Sequence, residues 1–291
     1  MTARPGGDAR PLALDRARLA SDLGVAGRTA AGRTPAGPLA GPGLWREIRL
    51  AAETGSTNAD LLAEAAAGAA EGLVLTAGAQ SAGRGRLGRR WISPPGAALT
   101  FSVLLRPRGV PAARLGWLPL LAGVAVAAAV TDAAALDTRL KWPNDVLAGE
   151  AKLAGILAES GGGAIVAGAG INVFQRRDEL PPTATSLLLA APGAAPAAGA
   201  RERLLAAVLG HFERWYLAWR DQASPGDAGA CGLRREYLRR SATVGRQVTV
   251  TLPGGRSLAG QAAGIDPAGQ LQVRTATGLV PVSAGDVMHV R

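Results

Sequence analysis

Lysine occurs twice in this chain, at Lys141 and Lys152, against 30 arginines. A chain that writes nearly every cation as Arg has kept Lys in one place. The two side chains are not interchangeable at a site: Arg is a planar fork of donors, whereas Lys brings a compact ammonium up to one oxygen as a point charge. Asparagine is equally sparse, with Asn58, Asn144 and Asn172 the three in 291 residues. Each falls in a polar cluster: Ser56-Thr57-Asn58, Lys141-Trp142-Pro143-Asn144-Asp145, and Gly168-Ala169-Gly170-Ile171-Asn172. A fourth cluster, residues 80–91, sets Arg84, Arg86, Arg89 and Arg90 among glycines and ends at Trp91. Glycines let backbone N–H groups come close to an anion, and Arg forks bind phosphate oxygens. Residues 72–131 hold seven Arg and no Asp or Glu. This is the pattern of a site that gathers cations around a small anionic ligand.

The elements that must position these groups follow from periodicity and turn chemistry. Residues 45–50 alternate like a strand. Ser56 or Thr57 is a natural N-cap for a helix over 59–70, with Asp60 in its first turn. Such a helix N-terminus offers free N–H groups to a carboxylate or phosphate. Residues 73–80 form a strand that feeds the Arg-rich loop. The spacing Gly83-x-Gly85-x-x-Gly88 formally matches a dinucleotide fingerprint, but no helix follows, so the Rossmann reading fails. The segment is instead a mobile loop. Further strands are expected over 98–105, 138–142, 146–147, 152–159 and 165–170, with a turn at Gly149-Glu150. Helices are expected over 114–135, 200–222 and 234–240, and a small-residue linker over 190–199. From 243 the pattern changes to short alternating strands, which together make a small β-barrel.

Composition sets outer limits. An apolar share of 48% supports a core, and the length suits one large domain plus a small one. Net charge is +10, which admits nucleic acid as a partner, although the cations concentrate in one loop. A single Cys, Cys231, excludes an intramolecular disulfide and fits a reducing cytoplasm. No signal peptide is visible. The longest apolar run, residues 115–130, contains Pro119 and is short for a membrane span; it is expected as a buried helix. Residues 1–43 are rich in Ala, Gly, Pro and Arg and are expected as a low-complexity, disordered arm, with a short helix possible over 12–23. The expected domains are this arm, a catalytic domain over 44–240 and the barrel over 241–291.

Taken in order, Ser56-Thr57-Asn58, the Gly83–Trp91 loop, Lys141-Trp-Pro-Asn-Asp145, Lys152-Leu-Ala-Gly-Ile156 and Gly168-Ala-Gly-Ile-Asn172 resemble the biotin protein ligases, over about residues 50 to 291. The resemblance implies an α+β fold, a mixed β-sheet flanked by helices of the class II synthetase or biotin–lipoyl ligase type, with a small C-terminal SH3-like β-barrel. It implies formation of biotinyl-5′-AMP from biotin and ATP with Mg²⁺, then transfer of biotin to one lysine of a carboxylase's biotin carboxyl carrier domain. By resemblance, Lys141, Arg84 and Arg86 are catalytic. Ser56, Thr57, Asn58, Gln80, Arg84, Gly85, Arg86, Lys141, Gly155, Leu157 and Gly168 hold biotin. Arg84, Arg86, Arg89, Trp91, Lys141, Asn144, Lys152, Ile171 and Asn172 hold ATP and the adenylate. The Mg²⁺ ligands are left open.

Many bacterial members add an N-terminal winged helix-turn-helix and act as repressors. Here the low-complexity arm stands in that place, so the expectation is the monofunctional type, with no specific DNA, no membrane, and a monomer or weak homodimer in the cytoplasm. Two rival readings stay open on sequence: a lipoate or octanoate ligase of the same fold, and a basic nucleic-acid-binding protein.

Overall fold

The computed structural model describes residues 10, 14–23, 43–192 and 199–290. Its centre is a seven-stranded mixed sheet built from β1 (Glu47–Thr54), β2 (Leu73–Gln80), β3 (Ala98–Leu105), β4 (Thr138–Lys141), β5 (Asp145–Ala148), β6 (Ala151–Gly161) and β7 (Ala164–Asn172). Their order across the sheet is β1-β2-β3-β7-β6-β5-β4. Only β1 and β2 run parallel, and the remaining neighbours are antiparallel.

Helix α2 (Thr57–Ala66) covers one face, packing Leu61 and Ala65 on Leu73, Leu75, Leu104 and Val166. It ends sooner than the apolar pattern suggests. Gly68 takes a left-handed φ of 91°, its N–H bonds Ala65 O at 3.1 Å, and the next N–H, from Ala69, reaches back to Glu64 O at 2.9 Å. This paired closure terminates a helix at a glycine.

Helix α3 (Trp117–Ala134) lies on the other face, under α5 (Ala200–Arg220). Between Trp117 and Val130 every residue except Pro119 is buried. This long apolar helix is therefore a core element, closed on both sides by protein. Pro119 sits in its first turn, where the missing N–H has no intrahelical acceptor to lose. Trp45, Phe212, Tyr216 and Trp219 form a chain of tilted ring contacts with centroids 5.6, 6.1 and 6.2 Å apart. Such pairs add stability beyond their buried area.

The expectation of a disordered arm needs correction over its described part. Residues Arg16–Asp22 form helix α1, capped by the Asp15 side chain. Leu14 and Leu19 are buried in the main core. Arg10 forks onto Glu179 with two bonds of 3.0 and 2.8 Å. One leucine on the helix and one just before it suffice to dock so short a segment. The rest of the expected arm, residues 1–9, 11–13 and 24–42, lies outside the described residues, as do residues 193–198 of the expected linker.

After the short α4 (Leu187–Ala190), the long α5 and α6 (Leu233–Arg240), the chain enters a five-stranded antiparallel sheet of SH3-like type. It comprises β8 (Gln247–Thr251), β9 (Ser257–Ile265), β10 (Leu271–Thr275), β11 (Gly278–Val282) and β12 (Asp286–His289), in the order β11-β10-β9-β8-β12. Two buried indoles of the larger domain donate to it: Trp117 Nε1 to Pro267 O at 3.0 Å and Trp142 Nε1 to Gly269 O at 3.1 Å.

Candidate active site

One cavity of about 460 Å³ gathers nearly all of the polar clusters. Its floor is the first turn of α2. Ser56 caps the helix, and Thr57 and Asn58 open it. Gln80, at the end of β2, accepts from both the Thr57 N–H (2.8 Å) and the Thr57 hydroxyl (3.1 Å). The Ser102 hydroxyl on β3 donates to Asn58 Oδ1 at 2.6 Å and lies 2.7 Å from Thr57 Oγ1. Asn58 Nδ2 donates to Leu157 O at 3.1 Å and Glu159 Oε2 at 2.8 Å. Both amide protons are thereby used, which leaves Asn58 its second Oδ1 lone pair for a ligand. Gln80 Nε2 and the Ser56 hydroxyl remain as donors, since neither donates to a partner among the described residues.

The floor is possible only because its neighbour lacks a side chain. A Cβ at Gly168 would lie 2.1 Å from Asn58 Oδ1, and one at Gly170 would lie 2.3 Å from the Trp91 ring. Gly155 is less tightly enclosed: a Cβ there would lie 3.1 Å from Lys152 Nζ and 3.3 Å from the Trp91 ring. The Gly-x-Gly of β7 is thus backbone brought against two functional side chains.

The Arg-rich segment between β2 and β3 folds as a narrow flap. Arg84 and Arg90 bridge across it, Gly85 N–H bonds Arg89 O at 2.7 Å, and Trp91 N–H bonds Gly83 O at 2.9 Å. Its guanidiniums point three ways. Arg84 faces Glu159 at 3.2 Å, Arg86 donates to Asn144 Oδ1 at 3.4 Å, and Arg89 pairs with Asp286 of β12. Burial pushes the Arg86 guanidinium below its ordinary value; Asp145 opposes this and Arg89 adds to it. It stays charged all the same. Trp91 Nε1 is buried with no acceptor among the described residues, an arrangement that costs about 1–3 kcal/mol unless a ligand supplies one.

Lys141 ends β4. Strand alternation sends Leu140 into the core, 2% exposed, and turns Lys141 to the cavity wall. Its ammonium has neither hydrogen bond nor ion pair among the described residues. The following Trp142–Pro143 bond is cis, and Trp142 is buried against the barrel. Asn144 donates to Ile156 O at 2.9 Å. Lys152 differs from Lys141: its Nζ stands 2.6 Å from Asp145 Oδ1. That oxygen lacks an aligned hydrogen bond, so the contact is charge attraction at short range rather than a directed bond.

Of the expected site residues, two lie outside this cavity. Ile171 is fully buried in the core: with Gly168 and Gly170 on the cavity face of β7, alternation puts residue 171 on the opposite face. Asn172 is spent on structure, donating to Thr185 O at 2.9 Å and accepting from Gln175 Nε2 at 2.9 Å. The rest line the cavity together: Ser56, Thr57, Asn58, Gln80, Arg84, Gly85, Arg86, Arg89, Trp91, Lys141, Asn144, Lys152, Gly155, Leu157 and Gly168. Sequence reasoning missed Phe101, Asp145 and the barrel residues Thr251, Asp286 and Met288.

His289 also belongs to this corner. Its Nε2 lies 3.2 Å from Thr243 Oγ1, which accepts the Trp142 N–H at 3.1 Å. Burial pushes the imidazole down, and Lys141 and Arg246 push it further. A histidine depressed on folding binds its proton more readily in the unfolded chain, so stability is fully present above about pH 6.5 and falls as pH drops toward the folded value. Thermal denaturation between pH 7.5 and 5.5 should therefore show a decline that His289→Gln flattens. An equal decline in both proteins would remove His289 from this account.

Comparison with known proteins places this geometry. Residues 53–174 match the Biotin/lipoate A/B protein ligase family, and residues 243–290 match the Biotin protein ligase C terminal domain. The chain is 46% identical over 254 residues to a biotin--[acetyl-CoA-carboxylase] ligase of Mycobacterium tuberculosis, covering 85% of this chain and 90% of that protein. It is 34% identical over 246 residues to the same-named protein of Paracoccus denitrificans, covering 81% and 98%. A solved structure of a biotin protein ligase from Aquifex aeolicus, in complex with biotin and ATP, superposes with a TM-score of 0.67 at 28% identity, covering 82% of this chain and 96% of that one.

Proposed function

The chain belongs to the biotin protein ligase family, and from that membership we propose how its own residues activate biotin and pass it on. The reaction has two steps. The biotin carboxylate attacks the α-phosphorus of ATP; a P–O bond forms to biotin, the bond to the β-phosphate oxygen breaks, and pyrophosphate leaves. The ε-amine of a carrier lysine then attacks the activated carbonyl; a C–N bond forms, AMP leaves and the amine loses a proton. The first step crowds negative charge at one phosphorus, so positioning and electrostatic stabilisation carry the catalysis.

The observation that carries the assignment is the Lys141 ammonium, without a partner among the described residues, on the wall of a cavity shared with the α2 N-terminus and the flap. Lys141 and Arg86 stabilise the charge at the phosphorus. Arg84 and Arg89 close over the adenylate, and Trp91 Nε1 finds its acceptor there. Ser56, Thr57 and Gln80 meet the polar ring of biotin, with Phe101 and Leu157 walling its apolar tail. The described residues hold no cluster of three metal-ligating side chains. A Mg²⁺ ion that travels with the triphosphate needs only one or two carboxylates; two line the cavity, Asp145 and Asp286, and Asp145, beside the two lysines, would hold it. The ion would neutralise phosphate charge.

The acceptor is a biotin carboxyl carrier domain, and the setting is the cytoplasm, where ATP is at hand. Incubation with ATP, labelled biotin and a carrier domain should give ATP-dependent labelling of one carrier lysine. Lipoate and octanoate offered in parallel should give little adenylate. Preferential adenylation of either would turn the assignment to the lipoate branch of the family.

A further inference from the structure

The floor that orients Asn58 contains one charged member. Glu159, on β6, gives its two carboxylate oxygens to two different partners. Oε2 accepts from Asn58 Nδ2 at 2.8 Å, while Oε1 stands 3.2 Å from Arg84 Nη1. Asn58 belongs to the first turn of α2 and Arg84 to the flap, so a single side chain touches both floor and lid. Asn58 has little freedom of its own: Ser102 holds its Oδ1 at 2.6 Å and Leu157 O accepts its other amide proton at 3.1 Å. A carboxylate bonded to so fixed a group is itself held in place and offers Arg84 a stationary counter-charge.

We propose that Glu159 is a positioning residue that couples occupancy of the biotin floor to closure of the flap. It does not touch the reacting atoms. A ligand bonded to the remaining lone pair of Asn58 Oδ1 polarises the same amide whose Nδ2 donates to Glu159, strengthens that bond, and so favours the closed place of Arg84; a flap held down by Arg84 in turn favours the occupied floor. Coupling of this kind is reciprocal by thermodynamic necessity. Its use is retention: a mixed anhydride is exposed to water unless the lid stays shut until the acceptor amine arrives. The Arg84 side chain is 49% exposed and that of Glu159 22%, so solvent screens the ion pair and the coupling is a matter of a few-fold, not of orders of magnitude.

This inference rests on the ligase reading above, and its test separates the two. Glu159→Gln keeps an oxygen acceptor for Asn58 but replaces the charge facing Arg84, whereas Glu159→Ala removes both contacts. With the full chain, trypsin cleavage after Arg84 and Arg86 is followed without ligand, with biotin alone, and with biotin plus ATP. Biotin affinity without nucleotide and the half-life of bound biotinyl-AMP are measured in parallel. Biotin alone should protect the flap of the wild type. Glu159→Gln should lose that protection by roughly three- to fivefold and shorten adenylate retention in proportion, while biotin affinity changes less. Glu159→Ala should weaken affinity as well. Equal flap protection in wild type and Glu159→Gln would overturn the coupling, as would a parallel loss of affinity and protection in both variants, which a merely structural role would give. A wild type that shows flap protection by biotin but forms no adenylate would defeat the ligase reading and leave the coupling standing.

Discussion

Replacing Lys141 by Arg is expected to lower adenylate formation by roughly 10²–10³, the usual loss when one well-placed stabilising donor is removed. The substitution keeps the charge, so the effect isolates shape. Lys141 ends a four-residue strand whose preceding residue, Leu140, is locked in the core, and the Trp142 that follows is buried with its indole bonded to Gly269 O at 3.1 Å. The backbone cannot slide to accommodate a longer, planar head group. The ammonium has no partner within the protein among the described residues, so it is available to a ligand oxygen at no cost in broken pairs. Lys152 is the internal control. Its Nζ is engaged by Asp145 at 2.6 Å, and Lys152→Arg can keep that pairing, so its loss should be smaller by at least about tenfold. Pyrophosphate release at saturating biotin and ATP reads both variants. Release by Lys141→Arg close to the wild-type rate would refute the role given to the ammonium.

Lys141 was legible in the sequence because residue type alone marks it: in a chain with two lysines, a retained one carries chemical information. The same holds for the four Arg of the flap, which stand within residues 84–90. The resemblance to a family then ordered these clusters into one pocket, and the cavity does bring them together. What sequence hid is of two kinds. Thr251, Asp286 and Met288 reach the cavity from the barrel, and nothing local in an Asp at the start of a four-residue strand announces that it will meet Arg89 from 197 positions away. The second kind is facing. Gly168, Gly170, Ile171 and Asn172 stand in one motif, and treating the motif as a unit put all of its polar or apolar members near the ligand. The pleat divides them: Ile171 goes to the core, and Asn172 closes the segment after β7. The arm shows the same limit from another side. Its low-complexity composition masks a single short helix, whose Leu19, with Leu14 just ahead of it, is buried in the main core.

Gly168→Ala is expected to reduce biotin affinity roughly 10–100-fold without nucleotide present, the equivalent of the ~1–3 kcal/mol that overpacking a filled site costs. Gly168 pairs with Ser102 on one side and Leu157 on the other, and all three surround Asn58. An added methyl would stand 2.1 Å from Asn58 Oδ1, 3.0 Å from its Cγ and 3.0 Å from Ser102 Oγ. Asn58 cannot yield cheaply, because three hydrogen bonds fix its amide to Ser102, Leu157 and Glu159; moving it would break the floor proposed for biotin. Gly170→Ala makes the useful contrast. Its methyl would strike the Trp91 ring at 2.3–2.7 Å, but Trp91 rides on the flap and can leave with it. That variant should therefore bind biotin nearly as the wild type does and fail to retain the adenylate. Calorimetric titration with biotin, followed by the half-life of bound biotinyl-AMP, distinguishes the two. Wild-type biotin affinity in Gly168→Ala would mean that biotin does not rest on the Asn58 floor, and the division of the cavity into floor and flap would have to be redrawn.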